Sequence, residues 1–241
     1  TREVEVWCSN DYLNFSQHPE VIETSIDVIK ELGTGSGGTR NISGTSTYHV
    51  DLESLIADLH NKERAVLFTS AYNANQATLS VLPKLFPGLI ILSDELNHAS
   101  MIEGIRKGNS DKFIWKHNDV DHLEYLLKNS NKEQPKIVAF ESVYSMDGDF
   151  APIKKIIEVS KKYNALTYLD EVHGVGLYGK NGGGLSEQLG LTSEIDIIEG
   201  TQASVFVETD DNLHDIIKFD VKDSTLTFNT SHKITSSKKI N

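Results

Sequence analysis

Short apolar runs alternate with amphipathic segments along most of this chain, and no other feature restricts its fold as strongly. Residues 65–69 (AVLFT), 89–93 (LIILS), 113–116 (FIWK), 136–140 (KIVAF), 166–169 (LTYL) and 195–198 (IDII) are runs of strand length. Runs this short and apolar suit a sheet buried on both faces. Between or before them, residues 19–32, 50–60, 74–85, 99–107, 120–128 and 153–163 space their apolar side chains as a helix does. In the first of these the stripe is Val21, Ile22, Ile26, Ile29 and Leu32. Strand, helix and strand in turn imply parallel pairing through right-handed crossovers. The predicted class is α/β, a mostly parallel sheet flanked by helices.

The regular pattern stops near Gly200. From Gln202 to Asn241 there is no Gly or Pro, and Asp, Thr, Ser and Lys dominate. Three parts are expected: residues 1–48 with a glycine-rich loop, residues 49–201 as the main α/β domain, and residues 202–241 as an atypical tail. Within the tail, residues 219–221 and 225–228 read as edge strands and the last ten residues as frayed. The sheet is therefore expected to be incomplete on its C-terminal side. The chain opens at Thr1 without Met, and residues 4–7 (VEVW) already read as a strand. Further sequence, including any targeting peptide, is expected upstream.

Charge narrows the partners. With 35 acidic and 23 basic residues the formal net charge is −12, which argues against nucleic acid or an anionic membrane as a partner. No apolar run approaches the roughly 20 residues needed to cross a bilayer. The single cysteine, Cys8, excludes an intrachain disulfide framework and fits a reducing compartment.

Asp170-Glu171-Val172-His173 closes the run at 166–169. A carboxylate and an imidazole three residues apart then stand at the C-terminal lip of a buried strand, where open α/β sheets bind cofactors. The carboxylate can hold a protonated ring nitrogen and the imidazole a second polar atom of that ring, as pyridoxal phosphate requires. Read alone, the tetrapeptide also fits an Asp capping the next turn beside a surface His. Residues 33–45 (GTGSGGTRNISGT) hold five glycines and five hydroxyls. Such density permits positive φ and close approach of backbone N–H groups to an anion. Arg40 adds charge, and Thr39, Asn41 and Ser43 can hydrogen-bond a carboxylate. The plainer alternative is a flexible linker.

Residues 69–75 (TSAYNAN) follow a strand and open a helix, whose free N–H groups and dipole favour a phosphate; Ser70 also reads as an ordinary N-cap. Residues 93–100 (SDELNHAS) repeat that context, and His98 can stack there on a flat ring or lie on a surface loop. Ser145, in residues 141–148 (ESVYSMDG), can donate to a ring-bound oxygen, although Asp147-Gly148 is first a turn signal. Gly182-Gly183-Gly184 reads as a mobile loop. His117, Asp119, Asp121 and His122 fit no standard ligand spacing, so an exposed helix start is expected there and no metal.

Taken together, residues 7–13 (WCSNDYL), 33–45, 68–75 (FTSAYNAN), 93–105 (SDELNHASMIEGI), 140–148 (FESVYSMDG), 169–179 (LDEVHGVGLYG) and 198–201 (IEGT) resemble the α-oxoamine synthase family of fold-type-I pyridoxal-phosphate enzymes, in its 5-aminolevulinate-forming branch. The motifs occur in family order over about five-sixths of the chain, and GGTRNISGT is the most specific. The resemblance implies the large domain of an acyltransferase that condenses glycine with succinyl-CoA, releasing CoA and carbon dioxide, and that works as a homodimer. By resemblance, His98 stacks on the pyridine ring, Asp170 pairs with its nitrogen, and His173 and Ser145 approach its phenolic oxygen. Ala71 and Tyr72 offer N–H groups to the phosphate, and Thr201 its hydroxyl. Asn10 matches a position near the amino-acid substrate, Thr39 and Asn41 the pair holding the succinyl carboxylate, and Ser93 a position in the CoA-side pocket. Residues 71–75, 86–91 and 141–150 look most like α-proteobacterial versions, which implies a bacterial cytoplasm; the eukaryotic counterpart is mitochondrial.

The chain departs from that pattern where covalent chemistry is needed. The family's Schiff-base lysine follows the Gly-Thr that Gly200-Thr201 matches, and here Ser204 occupies its place. A hydroxyl cannot form an imine. The small domain, with its expected carboxylate-clamping Arg, and an expected N-terminal Arg have no counterpart. A shifted reading frame, a truncated product and a divergent protein that lost the chemistry are all compatible with the tail. The expectation is a chain without synthase turnover. The alternatives are an α-oxoamine synthase for other substrates and a catalytically dead binding or dimerisation subunit.

Overall fold

The computed structural model describes residues 3, 5–6 and 9–200, with the strand segments 204–207, 218–222, 225–230 and 234–236. The strand expected at residues 4–7, the expected frayed end and Thr201 fall wholly or largely outside them. The chain divides into two compact units, residues 1–52 and 53–241.

In the first unit, α1 (Pro19–Leu32) starts on a proline, which needs no N–H at that position. It ends on Gly33, whose φ of 81° lets its N–H turn back to Ile29 O at 2.9 Å. The glycine-rich loop that follows closes into a tight turn, Arg40–Gly44, before α2 (Thr47–Leu59).

The second unit is built on a seven-stranded sheet among the described residues. In chain order its elements are β1 (Ala65–Leu67), α3 (Ala71–Leu85), β2 (Ile90–Asp94), α4 (Ala99–Gly108), β3 (Asp111–Trp115), α5 (Val120–Asn129), β4 (Lys136–Glu141), α6 (Ile153–Lys162), β5 (Ala165–Asp170), α7 (Leu185–Gln188), β6 (Ile197–Glu199) and β7 (Ser204–Val207). The strand order is β1-β7-β6-β5-β4-β2-β3. Strands β3, β2, β4, β5 and β6 are parallel, and β7 runs antiparallel between β6 and β1.

Because strand side chains alternate, the sheet carries a core on each face. Ile137, Ala139 and Tyr168 face Leu79 and Leu82 of α3 and Met101 and Ile105 of α4. Val138, Phe140 and Leu169 face Leu123 and Leu127 of α5 and Ile153, Ile156 and Ile157 of α6. Full burial of each of the valine, leucine, isoleucine, phenylalanine and methionine side chains contributes about 1.5–3 kcal/mol. The alternation of strands and helices read from the sequence is what forms, as a mostly parallel sheet.

Three local readings are corrected. Helix α3 begins at Ala71 rather than 74, because Ser70 caps it by accepting the Asn73 N–H at 3.1 Å. Strand β3 begins at the polar Asp111, which pairs with Ile90 on the sheet edge. In the tail, residues 204–207 enter the main sheet. Strands β8 (Lys218–Lys222), β9 (Thr225–Thr230) and β10 (Ile234–Ser236) instead form a separate antiparallel sheet.

Candidate active site

The C-terminal ends of three neighbouring parallel strands each present an acid. Glu141 closes β4, Asp170 closes β5 and Glu199 closes β6, with Glu141 opposite Asp170 and Asp170 opposite Glu199. Laterally matched residues of parallel strands point to one face, so the three carboxyls form a row. They are 2%, 2% and 0% exposed. Three buried anions cannot coexist cheaply, and the surroundings distinguish them.

Asp170 receives two donors. Asn75 Nδ2 donates to its Oδ2 at 2.7 Å, and the Val172 N–H to its Oδ1 at 2.9 Å. Burial first, then the charge of Asp170, pushes Glu141 up to about 8 even though the His98 N–H donates to it. The same two causes hold Glu199 well above the usual carboxylate range. Among the described residues, no donor reaches either Glu199 oxygen; its contact with Asp170 becomes a hydrogen bond when one of the pair carries a proton. The row therefore gathers two donors on its middle member, Asp170, while burial and the charge of Asp170 disfavour the charged forms of Glu141 and Glu199 on either side.

A buried relay joins Asp170 to His98. Asn75 Nδ2 also donates to Ser100 Oγ at 3.1 Å, and Ser100 Oγ lies 2.7 Å from His98 Nδ1. The Asn75 Oδ1 accepts the Tyr168 hydroxyl at 2.6 Å. His98 caps α4, accepting the Ser100 N–H at 3.2 Å, while its own N–H donates to Glu141 Oε1 at 2.5 Å. The Tyr72 ring stands edge-on to it at 6.1 Å. His173 lies in the turn after β5, with Nδ1 3.9 Å from Glu141 Oε2, too far for a hydrogen bond. Neither atom has a partner among the described residues. Burial, helped by His98 and opposed by Asp170, lowers the His173 imidazole below its usual value. Asp170, His98 and His173 are thus brought together.

The other predicted residues are placed less uniformly. Ala71 and Tyr72 occupy the first turn of α3, where helix N–H groups lack intrahelical partners. Ser145 is exposed in a turn closed by the Gly148 N–H to Tyr144 O at 2.7 Å. Ser93 is buried: its hydroxyl donates to Asp94 O at 3.1 Å and accepts Asn97 Nδ2 at 2.9 Å. Ser204 opens β7, its backbone opposite Leu67. In the first unit Asn10 is exposed, and Thr39 Oγ1 donates to Asn41 Oδ1 at 2.7 Å. The N–H groups of Ile42, Ser43 and Gly44 all converge on Thr39 O, so these three backbone donors are engaged within the loop.

Asp119 does cap the start of α5, accepting the His122 N–H at 2.9 Å, but His117 is drawn away to Asp94 and Asp149. No cluster of metal-ligating residues occurs among the described residues, and no described helix is long and apolar enough to cross a membrane. Sequence reasoning missed Asn75, Ser100, Glu141 and Glu199. The two glutamates carry the signal that singled out Asp170, an acid ending an apolar run.

The sequence model of the aminotransferase class I and II family matches residues 2–207. The chain is 59% identical over 203 residues to a 5-aminolevulinate synthase of Paracoccus denitrificans, covering 84% of this chain and 50% of that protein. It is 53% identical over 206 residues to an erythroid-specific, mitochondrial 5-aminolevulinate synthase of Bos taurus, covering 86% and 35%. Among solved structures, a Sphingomonas wittichii serine palmitoyltransferase superposes with a TM-score of 0.80 at 29% identity, over 86% of this chain and 53% of that one. A serine palmitoyltransferase from S. paucimobilis, solved with PLP and myriocin, gives 0.79 at 32%, over 83% and 52%. The chain spans about half the length of the bacterial relatives it matches.

Proposed function

Because the chain belongs to the aminotransferase class I and II family, we propose that its strand-end site holds pyridoxal phosphate as a 5-aminolevulinate synthase does, while the chain alone lacks turnover. The reaction of that enzyme type joins glycine to succinyl-CoA, giving 5-aminolevulinate, CoA and carbon dioxide. The observation that carries the reading is the buried carboxyl of Asp170, which accepts two hydrogen bonds and is tied through Asn75 and Ser100 to His98.

The residues present fit the group. A buried carboxyl held by two donors suits a protonated ring nitrogen, and the Nδ1 of His173, without a partner among the described residues, would be able to meet a polar atom of that ring. When bound, the cofactor supplies an electron sink for charge developing at the glycine α-carbon. Asp170 keeps the proton on the ring nitrogen, and Asn75 with the Val172 N–H fixes the carboxylate's orientation. His98 would hold the ring from one face, beside Tyr72. The first-turn N–H groups of Ala71 and Tyr72, with the Thr201 hydroxyl, take the phosphate. On the substrate side, Asn10 serves glycine, and Thr39 and Asn41 the succinyl carboxylate. Ser93 serves the CoA side through the turn it braces. Homodimerisation and a bacterial cytoplasmic setting belong to the same proposal, on the likeness to bacterial relatives.

Ser204 sets the limit. Covalent attachment of the cofactor needs an amine, which a serine does not supply. A second reading, a lysine-less binding subunit beside a full-length partner, is favoured by that same residue, and co-purification with such a partner would support it.

Titration of the purified chain with pyridoxal phosphate, followed by absorbance and tryptophan fluorescence, tests the site. Asp170→Asn is expected to weaken binding about tenfold, the equivalent of about 1.4 kcal/mol. Unchanged affinity in a folded variant refutes the assignment. Production of 5-aminolevulinate by the unmodified chain, abolished by Asp170→Ala, would refute the absence of turnover.

A further inference from the structure

Outside the row of acids, one imidazole is gripped on both sides. His117, in the turn after β3, has Nδ1 2.9 Å from Asp94 Oδ1 and Nε2 2.8 Å from Asp149 Oδ2. Asp94 ends β2 and begins the turn that leads to His98. Asp149 lies in the segment between β4 and α6 that carries Ser145. Asn118 doubles both links, its N–H donating to Asp94 Oδ2 at 3.1 Å and its Nδ2 to Asp149 Oδ2 at 3.0 Å. The Tyr144 ring meets the imidazole edge-on at 4.4 Å, and the His117 N–H donates to Glu95 Oε1 at 2.8 Å. Three chain segments, far apart in sequence, meet at this one side chain.

We propose that His117 is a positioning residue: charged, it ties the His98-bearing turn to the Ser145-bearing turn, and the ring site loosens when it loses its proton. The proposal rests on the cofactor reading of His98 and Ser145. Its physical basis is a count of donors. An imidazolium has two N–H groups and serves both carboxylates; a neutral imidazole has one and leaves the other carboxylate facing a lone pair. The groups facing the ring are Asp94 at the end of β2, Asn118 in the turn into α5, whose Nδ2 lies 3.1 Å from Nε2, and Tyr144 and Asp149 beyond β4; Glu95 meets only the backbone N–H. Burial disfavours the charged ring, but the hydrogen bonds and charges of Asp94 and Asp149 outweigh it and raise the imidazole above its usual value. Burial, with Asp94 adding to it, raises the Tyr144 phenol, so it stays neutral and competes for no proton.

Two measurements on the full chain test this. Uniformly isotope-labelled protein followed by NMR is expected to show His117 titrating above a free histidine, with the His98 and Ser145 amide signals moving in step. Asp149→Asn, at a half-exposed position, is expected to lower that titration. Amides that stay still, or an ordinary titration, overturn the clamp even if no cofactor binds. Failure of the wild type to bind pyridoxal phosphate at any pH would instead count against the cofactor reading. In the second measurement, wild-type affinity for pyridoxal phosphate is expected to fall about tenfold more than that of His117→Gln as pH rises through the His117 titration. Identical pH profiles for the two, with His117→Gln melting close to wild type at low pH, overturn the proposal.

Discussion

Asn75 shows how one uncharged side chain organises a charged site. It is 1% exposed, and both ends of its amide are occupied, by Asp170 and Ser100 on the nitrogen and by the Tyr168 hydroxyl on the oxygen. Removing it strands groups that have no water to turn to, and each unsatisfied buried group costs about 1–3 kcal/mol. Asn75→Ala is therefore expected to lower unfolding stability by about 3 kcal/mol, read as a lower urea midpoint with unchanged slope. A loss within about 0.5 kcal/mol, typical of inert surface sites, would show that the relay contributes little. Asp170 and His98 are legible in the sequence because one ends a strand and the other caps a helix, and His173 because it follows that strand end by three residues. Asn75 is not: it lies one turn inside a helix, and its partner Asp170 is 95 residues away. The same distance problem hides the clamp on His117, whose carboxylates lie 23 and 32 residues off.

At the level of elements, the site depends on how closely α3 and α4 approach. Gly104 and Gly108 of α4 sit one turn apart and face α3. A Cβ at Gly104 would stand 2.8 Å from Asn75 O and 3.0 Å from Leu79 Cβ, and one at Gly108 2.8 Å from Leu79 O. Those neighbours include backbone atoms, which cannot swing aside. Alanine in place of a helical glycine normally gains about 1 kcal/mol, but overpacking costs about 1–3 kcal/mol. Gly104→Ala is expected to lower the melting temperature, and it should also weaken cofactor binding, because Asn75 is displaced. A higher melting temperature would mean that the helices separate freely. Strands β2, β4 and β5 are legible because their runs are apolar whichever way they face. Strand β7 is not, since residues 204–207 become a strand through pairing with β6 and β1 on either side. Nor is the polar start of β3, which the pairing with β2 imposes.

For the molecule as a whole, the buried acids decide how stability follows pH. Glu141 is raised from 4.5 to about 8 by burial and then by Asp170, Glu171 is raised chiefly by burial, and Glu199 is raised well above its usual value. A group that binds its proton more tightly when folded contributes stability that is complete below its unfolded pKa and is lost as pH climbs through the folded value. His60 works the other way. Burial, reinforced by Lys62, lowers it from 6.5 to about 4, so its contribution is complete above 6.5 and lost as pH falls toward 4. The two sets oppose each other between 4.5 and 6.5. Above that only the acids still titrate, alongside His117, whose raised value acts in the same direction. The net charge of −12 adds self-repulsion as protons leave. Stability is therefore expected to fall by a few kcal/mol between pH 6.5 and pH 8. Denaturant midpoints at the two ends of that interval measure the fall. Glu141→Gln keeps the shape of the side chain without its titration and should flatten the slope. A midpoint that holds or rises with pH in the wild type would show that the row of acids is already ionised in the folded chain, leaving no distinction between Asp170 and its two neighbours.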